Sequence, residues 1–164
     1  MDNKESYIGS PCAVVMCVDA AGVRISGRLY HAYKEGAVSF FGMENAFPIM
    51  ESFFNRIRCP FPDTETHSFF HKKIGRDEDR SQQGKRMMRV MKDNELLKEH
   101  GDRGTFIIRV QYRQHSSWQG VVTWSEKHKT VPFRSALELM KMIDEALGSE
   151  EPDLDEYSLV DNEG

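Results

Sequence analysis

The sequence predicts an α+β protein with two β-β-β-α repeats around a pseudo-twofold axis, helices packed on antiparallel sheets, and a helical insertion between the repeats. Three observations predict this fold. In each half of the chain three strand-like segments precede an amphipathic helix, the two helices share one apolar pattern, and glycines recur at matching places in the strands. Because a sheet with a helix on one face leaves its other face uncovered, two such units would most simply join around a twofold axis.

The first repeat occupies residues 1–59. Its first strand is an apolar run, its second alternates apolar with polar residues, and residues 19–22 supply the turn chemistry between them. Strands are predicted at residues 12–18, 23–33 and 37–41. Asn45 is the predicted N-cap of the helix that follows, and Pro60 and Pro62 end that helix.

The second repeat, residues 105–147, follows the same order. Its strands are predicted at residues 105–114, 118–125 and 130–133. Ser135 opens the second helix, and Glu138 completes a capping box, in which the hydroxyl and the carboxylate satisfy amide donors at the helix start. Trp118 and Trp124 share one strand face with apolar residues, so both are expected in the core.

The alignment of the repeats has two offsets. Apolar helix positions lie ninety residues apart and strand positions ninety-three apart, so a deletion of three residues before the second helix reconciles them. The matched helix residues are Ala46, Ile49, Met50, Phe53 and Ile57 with Ala136, Leu139, Met140, Ile143 and Leu147. The matched strand residues are Gly27 with Gly120, Leu29 with Val122, Val38 with Val131 and Phe40 with Phe133. His31 corresponds to Trp124, and we expect it to be a hydrogen-bonded histidine at a core edge.

Residues 60–104 form the insertion between the repeats. A helix is predicted from Gly84 to His100, with an apolar stripe of Met87, Met88, Met91 and Leu97. Methionine side chains pack adaptably and specify one partner poorly, so this helix is expected to dock loosely or to move.

Residues 148–164 form an acidic tail with seven carboxylates and no Lys or Arg. Its composition predicts disorder, because it cannot bury enough apolar surface to offset the entropy of ordering. The tail serves solubility, or its segment from Leu154 to Val160 docks on a partner or on the basic surface of the same chain.

Composition and cysteine usage predict a cytoplasmic protein. Only three cysteines occur, Cys12, Cys17 and Cys59, without the paired spacing of a disulfide framework, which favours a reducing compartment. No apolar run approaches the ~18 residues of a membrane span, so no membrane association is expected. The net charge is −4, but the chain without its acidic tail is slightly basic.

The sequence contains no phosphate-binding glycine loop, no Cys-x-x-Cys pair, no His-Glu-x-x-His helix and no Gly-x-Ser-x-Gly elbow. His67 and His71 are four residues apart with Cys59 upstream, yet a tetrahedral zinc site would need a fourth ligand that has no candidate. We therefore predict no metal, no cofactor and no catalytic residue.

The predicted binding residues are cationic, polar and aromatic side chains that alternate along two strands: Arg24, Arg28 and Tyr30 on one, and Arg109, Gln111 and Arg113 on the other. If these strands share a sheet face, the side chains form a platform suited to phosphates and stacked bases. The alternative is an ordinary solvated sheet face, which the modest basic balance of the chain favours.

From Phe106 to Leu147 the strings FIIRVQYRQHSSWQGVVTW and FRSALELMKMIDEAL resemble a segment of a family of small bacterial proteins. The resemblance covers the last third of the chain and implies no activity. In topology alone, repeated strands followed by a helix are similar to Whirly and positive-coactivator single-strand-binding proteins. Those proteins have four strands in each unit where this sequence has three, and no motif of theirs occurs here.

These observations favour a non-enzymatic binding or regulatory module over an enzyme. The module would recognise a protein partner, or form a homo-oligomer, through a sheet edge or the methionine-rich insertion. The alternative is single-stranded nucleic-acid binding through the Arg/Tyr face.

Overall fold

The computed structural model describes residues 8, 10–63, 67, 69 and 88–148. Its strands are β1 (Ala13–Ala20), β2 (Ser26–Tyr30), β3 (Val38–Phe41), β4 (Gly104–Tyr112), β5 (Gln119–Trp124) and β6 (Lys129–Phe133). Its helices are α1 (Met43–Ile57), α2 (Asp93–Leu97) and α3 (Ala136–Ala146), and a 3-10 turn spans Ser125–Lys127. The α+β class predicted from the sequence is confirmed.

All six strands form one antiparallel sheet in the order β3-β2-β1-β4-β5-β6. The two central strands come from different halves of the chain, with Ala13 opposite Arg109 and Val18 opposite Gly104. Each half adds its next two strands outward from this central pair. β3 and β6 are therefore the edges of the sheet.

A bulge interrupts each central strand opposite a glycine. The β1 register shifts between Val18 and Ala20 next to Gly27, and the β4 register shifts between Val110 and Tyr112 next to Gly120. A Cβ atom at Gly27 would lie 1.9 Å from the Cys17 carbonyl oxygen, and one at Gly120 would lie 2.0 Å from the Arg109 carbonyl oxygen. The close approach of neighbouring backbones thus explains both glycines.

Helices α1 and α3 cover one sheet face and enclose the main core. Their fully buried residues lie eighty-nine positions apart, Met50 with Leu139 and Phe54 with Ile143, one fewer than the apolar pattern predicts. Trp118, predicted to be in the core, is buried and meets the Phe54 ring edge-on at 5.2 Å.

A second, smaller core lies on the other sheet face. It consists of Ile8, Ala13, Val15, Cys17, Tyr30, Ala32, Leu96 and Ile107. Helix α2 covers part of this face through Leu96, which is 2% exposed, and the backbone N–H groups of Val90 and Met91 donate to the Ala32 carbonyl. The described end of the insertion is therefore docked on the sheet.

The helix predicted from Gly84 to His100 is wrong in extent over residues 88–100. Only Asp93–Leu97 is helical there, Met88 is 82% exposed, and Leu96 rather than Leu97 is the buried anchor. The remainder of that prediction and the acidic tail beyond residue 148 lie outside the described residues.

The start of α3 agrees with the sequence prediction, and the start of α1 does not. Ser135 is the N-cap of α3, and its hydroxyl accepts from the Glu138 backbone N–H at 3.1 Å, as predicted. Helix α1 instead begins at Met43 after Gly42, where φ is 82°. Asn45 lies inside α1, and its side chain accepts from the backbone N–H of Phe41.

Cys12 and Cys59 form a disulfide that joins the start of β1 to the segment after α1. The cysteine spacing did not predict this bond, because the fold brings together two cysteines that are 47 positions apart in sequence. Cys17 is free and buried, and burial raises the pKa of its thiol to about 12.

No helix within the described ranges has the length and apolar character needed to cross a membrane.

Candidate binding surface

The six predicted binding residues do not form one platform. Arg28, Tyr30 and Arg109 lie on the sheet face opposite α1 and α3, as alternation predicts. Arg24 precedes β2 and forms an exposed ion pair with Glu44 at 3.1 Å.

After the bulge in β4, each side chain points to the sheet face opposite to the one that simple alternation predicts. Gln111 is the extra, exposed residue of the bulge, and Arg113 therefore lies on the helix side, where it is 4% exposed. The prediction that Arg113 shares a face with Arg109 is wrong, because the additional residue shifts every later side chain to the opposite face.

Arg28 is held by groups of its own chain. Its guanidinium donates to both carboxylate oxygens of Asp19 at 2.9 and 3.1 Å, to the Tyr30 hydroxyl at 2.7 Å and to the His100 carbonyl at 2.8 Å. The Arg28 hydrogen bonds lower the pKa of Asp19 below its usual value. Tyr30 is 7% exposed, so its ring offers little surface for stacking.

Arg109 and Arg113 also bind within the chain. Arg109 donates to the Ile8 carbonyl and, at 2.9 Å, to the Thr123 hydroxyl, and burial lowers its pKa. Arg113 donates to the Pro60 carbonyl at 2.6 Å and to Asn55 at 2.5 Å. These contacts connect the sheet to its flanking segments.

The two sheet edges differ in their ability to accept another strand. On β6, Pro132 has no N–H to donate, and it lies opposite Val121. On β3 the corresponding register position is Ser39, opposite Arg28, ninety-three residues earlier. A proline and a lysine, Lys129, thus protect one edge, whereas β3 contains neither residue type.

The outward backbone groups of β3 can be identified from its hydrogen bonds. The N–H of Gly42 donates to the Ile25 carbonyl at 2.7 Å, whereas the N–H of Phe41 donates to the Asn45 side chain at 3.1 Å. Since bonding direction alternates along an antiparallel strand, the N–H and C=O of Ser39 point away from β2. Within the described part of the chain no strand pairs with this side of β3.

A groove beside this edge, which we call groove A, lies between α1 and the outer strands of the first half. It has a volume of about 420 Å³. Its lining residues are Val14, Leu29, His31, Lys34, Val38, Pro48, Ile49, Met50, Ser52, Phe53 and Arg56. Most of these side chains are apolar, and the charged ones are both cationic.

His31 lies on the wall of groove A and is uncharged at neutral pH. Its ring stacks on Phe53 with centroids 3.8 Å apart, and its Nδ1 accepts from the backbone N–H of Tyr33 at 3.2 Å. Burial, and then the nearby charges of Lys34 and Arg56, lower its pKa to about 4. Because Nδ1 is an acceptor, the proton is on Nε2, which can donate to a ligand.

Lys34 and Arg56 are exposed, and neither forms an ion pair with another described residue. Their charges reach the same imidazole, since both contribute to the low pKa of His31. Groove A therefore combines an apolar interior with uncompensated positive charge.

A second groove, groove B, lies between α3 and the outer strands of the second half. It has a volume of about 520 Å³. Trp124, which the strand offset matches with His31, lines groove B, and the charged lining residues are Lys129, Glu138 and Glu145. Groove B therefore presents carboxylates where groove A presents only cations.

The described residues contain no group of three or more His, Cys, Asp or Glu side chains that could hold a metal ion. Cys59 is bonded to Cys12 and cannot act as a thiolate ligand while that bond exists. His67 is exposed, and His71 lies outside the described residues.

Comparisons with models of protein families, with curated proteins and with solved structures found no match to this chain. The similarity of residues 106–147 to small bacterial proteins therefore stays an expectation.

Sequence reasoning did not identify groove A. Its residues come from β1, β2, β3, the connection after β2 and α1, which are separate elements along the chain. One sequence pattern did point to this side of the sheet. The strand offset pairs Ser39 with Pro132 and so distinguishes the two sheet edges.

Proposed function

We propose that this protein is a non-enzymatic binding module that recognises a protein partner, or a second copy of itself, by adding a strand to the outer side of β3. The observation that carries this proposal is the difference between the edges. Pro132 and Lys129 protect β6, while β3 presents the N–H and C=O of Ser39.

Exposed apolar side chains beside β3 support the proposal. Phe41 is 59% exposed, with the Arg24 guanidinium 5.3 Å from its ring centroid, and Val23 in the preceding turn is fully exposed. An added strand would cover part of this apolar surface while it satisfies the outward backbone groups.

The alternative, single-stranded nucleic-acid binding at the Arg/Tyr face, has weaker support. Arg28 and Arg109 bond to groups of their own chain, and Tyr30 is buried. A phosphate would have to replace the Asp19 carboxylate at Arg28, and Tyr30, the residue predicted to stack on bases, is buried.

We also propose that the two β-β-β-α units arose by duplication. The bulges opposite Gly27 and Gly120, the carbonyl approach at each glycine and the paired grooves support this origin. An arrangement around a pseudo-twofold axis between β1 and β4 would explain why equivalent strands occupy mirrored places in the sheet order. After such a duplication the two units would have diverged, so that the edge strand β6 is protected and the edge strand β3 is accessible.

The variant Ser39→Pro tests strand addition. It removes the outward N–H and introduces the residue that already occupies the corresponding position of β6, so the fold should tolerate it. Sedimentation velocity measures self-association, and crosslinking followed by mass spectrometry of the purified complex measures a stable partner. We expect the complex to weaken by roughly tenfold or more, which is about 1.4 kcal/mol.

Ser39→Thr is the matched control, because it changes the side chain and keeps the N–H. It should associate like the native protein. Equal association of Ser39→Pro would exclude strand addition at β3. Binding of generic single-stranded oligonucleotides that weakens steeply with salt would favour the alternative function.

A further inference from the structure

We infer that groove A is a recognition site for an acidic peptide that also carries apolar side chains. This inference rests on the proposed function, since the peptide is the strand added to β3. Side chains of that strand that face α1 would enter groove A, and a carboxylate of the same peptide would pair with Lys34 and Arg56.

The sheet geometry directs the added side chains to groove A. Val38 and Phe40 face α1, and Val38 lines the groove. Side chains alternate between the faces along a strand, so every second residue of a strand paired with β3 also faces α1. The groove volume of about 420 Å³ can accommodate an apolar side chain.

The apolar interior of groove A favours a side chain such as leucine. Leu29, Val38 and Ile49 line it, and Phe53 forms a wall together with the stacked His31 ring. Burial of a leucine against these residues removes apolar surface from water, which favours binding.

The cationic side chains of groove A favour a peptide that carries a carboxylate. Lys34 and Arg56 have no ion-pair partner among the described residues, so an incoming carboxylate would not have to displace one. His31 adds a neutral donor, Nε2–H, that can bond a carboxylate oxygen or a peptide carbonyl. All three polar groups thus favour a ligand rich in acceptors.

Groove B supplies an internal contrast. Glu145 would repel an acidic peptide, whereas Glu138 is already paired with Arg134 at 3.1 Å. Pro132 also removes a backbone donor from the adjoining edge. The structure therefore assigns acidic-peptide recognition to one half of the molecule.

Fluorescence anisotropy tests the inference with a labelled synthetic peptide that has Leu and Glu in turn at every second position and Thr between them, so that both side-chain types share the strand face directed at groove A. The native protein should bind this peptide, and should bind versions with Lys in place of Glu, or Ser in place of Leu, at least roughly tenfold more weakly. Lys34→Glu with Arg56→Glu should abolish the measurable binding. Both residues are exposed, so the fold should persist, as far-UV circular dichroism and urea unfolding will verify.

The matched control is Lys129→Glu with Lys141→Glu, which makes the same charge change beside groove B and on α3. This control should bind the Glu/Leu peptide like the native protein. Equal loss in both double variants would show a general charge effect and overturn the inference. Lys34→Gln with Arg56→Gln, which removes the cations without adding repulsion, should also bind more weakly, and unchanged affinity in that variant would overturn it.

The two proposals fail in different ways. If the native protein does not bind the Glu/Leu peptide while Ser39→Pro still breaks its natural complex, groove A recognition is wrong and strand addition stands. If Ser39→Pro binds the peptide as tightly as the native protein, strand addition is wrong, and so is the inference, because its peptide is the added strand.

Discussion

Gly27 and Gly120 are the residues at which one additional carbon atom would matter most in the sheet. A Cβ at either position would lie about 2 Å from a carbonyl oxygen of the neighbouring central strand, and backbone atoms cannot move aside as a flexible side chain can. Gly27→Ala and Gly120→Ala should each lower the free energy of unfolding by roughly 1–3 kcal/mol. Urea denaturation measures this change.

Gly22→Ala is the control at this scale, since no atom lies within 4 Å of its Cβ position and its φ is not positive. Its stability should match the native protein. Native-like stability of Gly120→Ala would show that β4 and β5 do not approach as closely as described.

Residue alternation predicted some side-chain positions and not others. It put Arg28 and Tyr30 on the same face of their strand correctly, and Arg109 shares that face because β1 joins β2 and β4 in one sheet. It failed at Arg113, because a bulge adds a residue without any change in the apolar pattern. Alternation also could not predict the ion pair of Arg28 with Asp19, since that pair depends on the strand register across a hairpin.

At the scale of elements, all six strands and the cap of α3 could be predicted, and strand ends differ by a few residues. Periodicity identifies a strand or helix, but it does not determine which side of a helix is buried deepest. The ninety-residue offset equates Ile49 with Leu139, yet Leu139 is fully buried while Ile49 lies on the wall of groove A.

The two helices should therefore respond differently to truncation. Leu139→Ala and Met50→Ala should each cost about 2–5 kcal/mol of stability, because both side chains are fully buried. Ile49→Ala should cost only roughly 1 kcal/mol, because part of its surface already faces solvent. Thermal and urea unfolding compare the three variants. Equal losses of unfolding free energy in Ile49→Ala and Leu139→Ala would instead support the ninety-residue offset between the two helices.

For the whole molecule, the disulfide was the largest departure from expectation. Three cysteines with irregular spacing gave no reason to pair Cys12 with Cys59, since their proximity arises only when α1 packs back over β1. The cytoplasmic location stays a prediction, and it loses the support that the absence of a disulfide framework gave it. Groove A likewise forms only where β1, β2, β3 and α1 pack together, so no single segment of the sequence indicates it.

Reduction of this bond tests its contribution to the whole fold. A crosslink across 47 positions should stabilise the protein by up to about 4 kcal/mol through the entropy of the unfolded chain. Calorimetry with and without dithiothreitol should show a lower Tm in the reduced protein. The double variant Cys12→Ala/Cys59→Ala should have a low Tm that does not respond to dithiothreitol, and an unchanged native Tm on reduction would contradict the expectation.

The central pairing of β1 with β4 also has a consequence for the nascent chain. The ribosome makes β1 roughly ninety residues before β4, an interval of about 5–20 s at ordinary elongation rates. During that interval β1 can pair with β2, but the side of β1 that later meets β4 remains unpaired. Residues 13–18 are wholly apolar, so the growing chain displays an aggregation-prone edge until β4 has been made through Arg109. A chaperone that binds short apolar segments would act in this window.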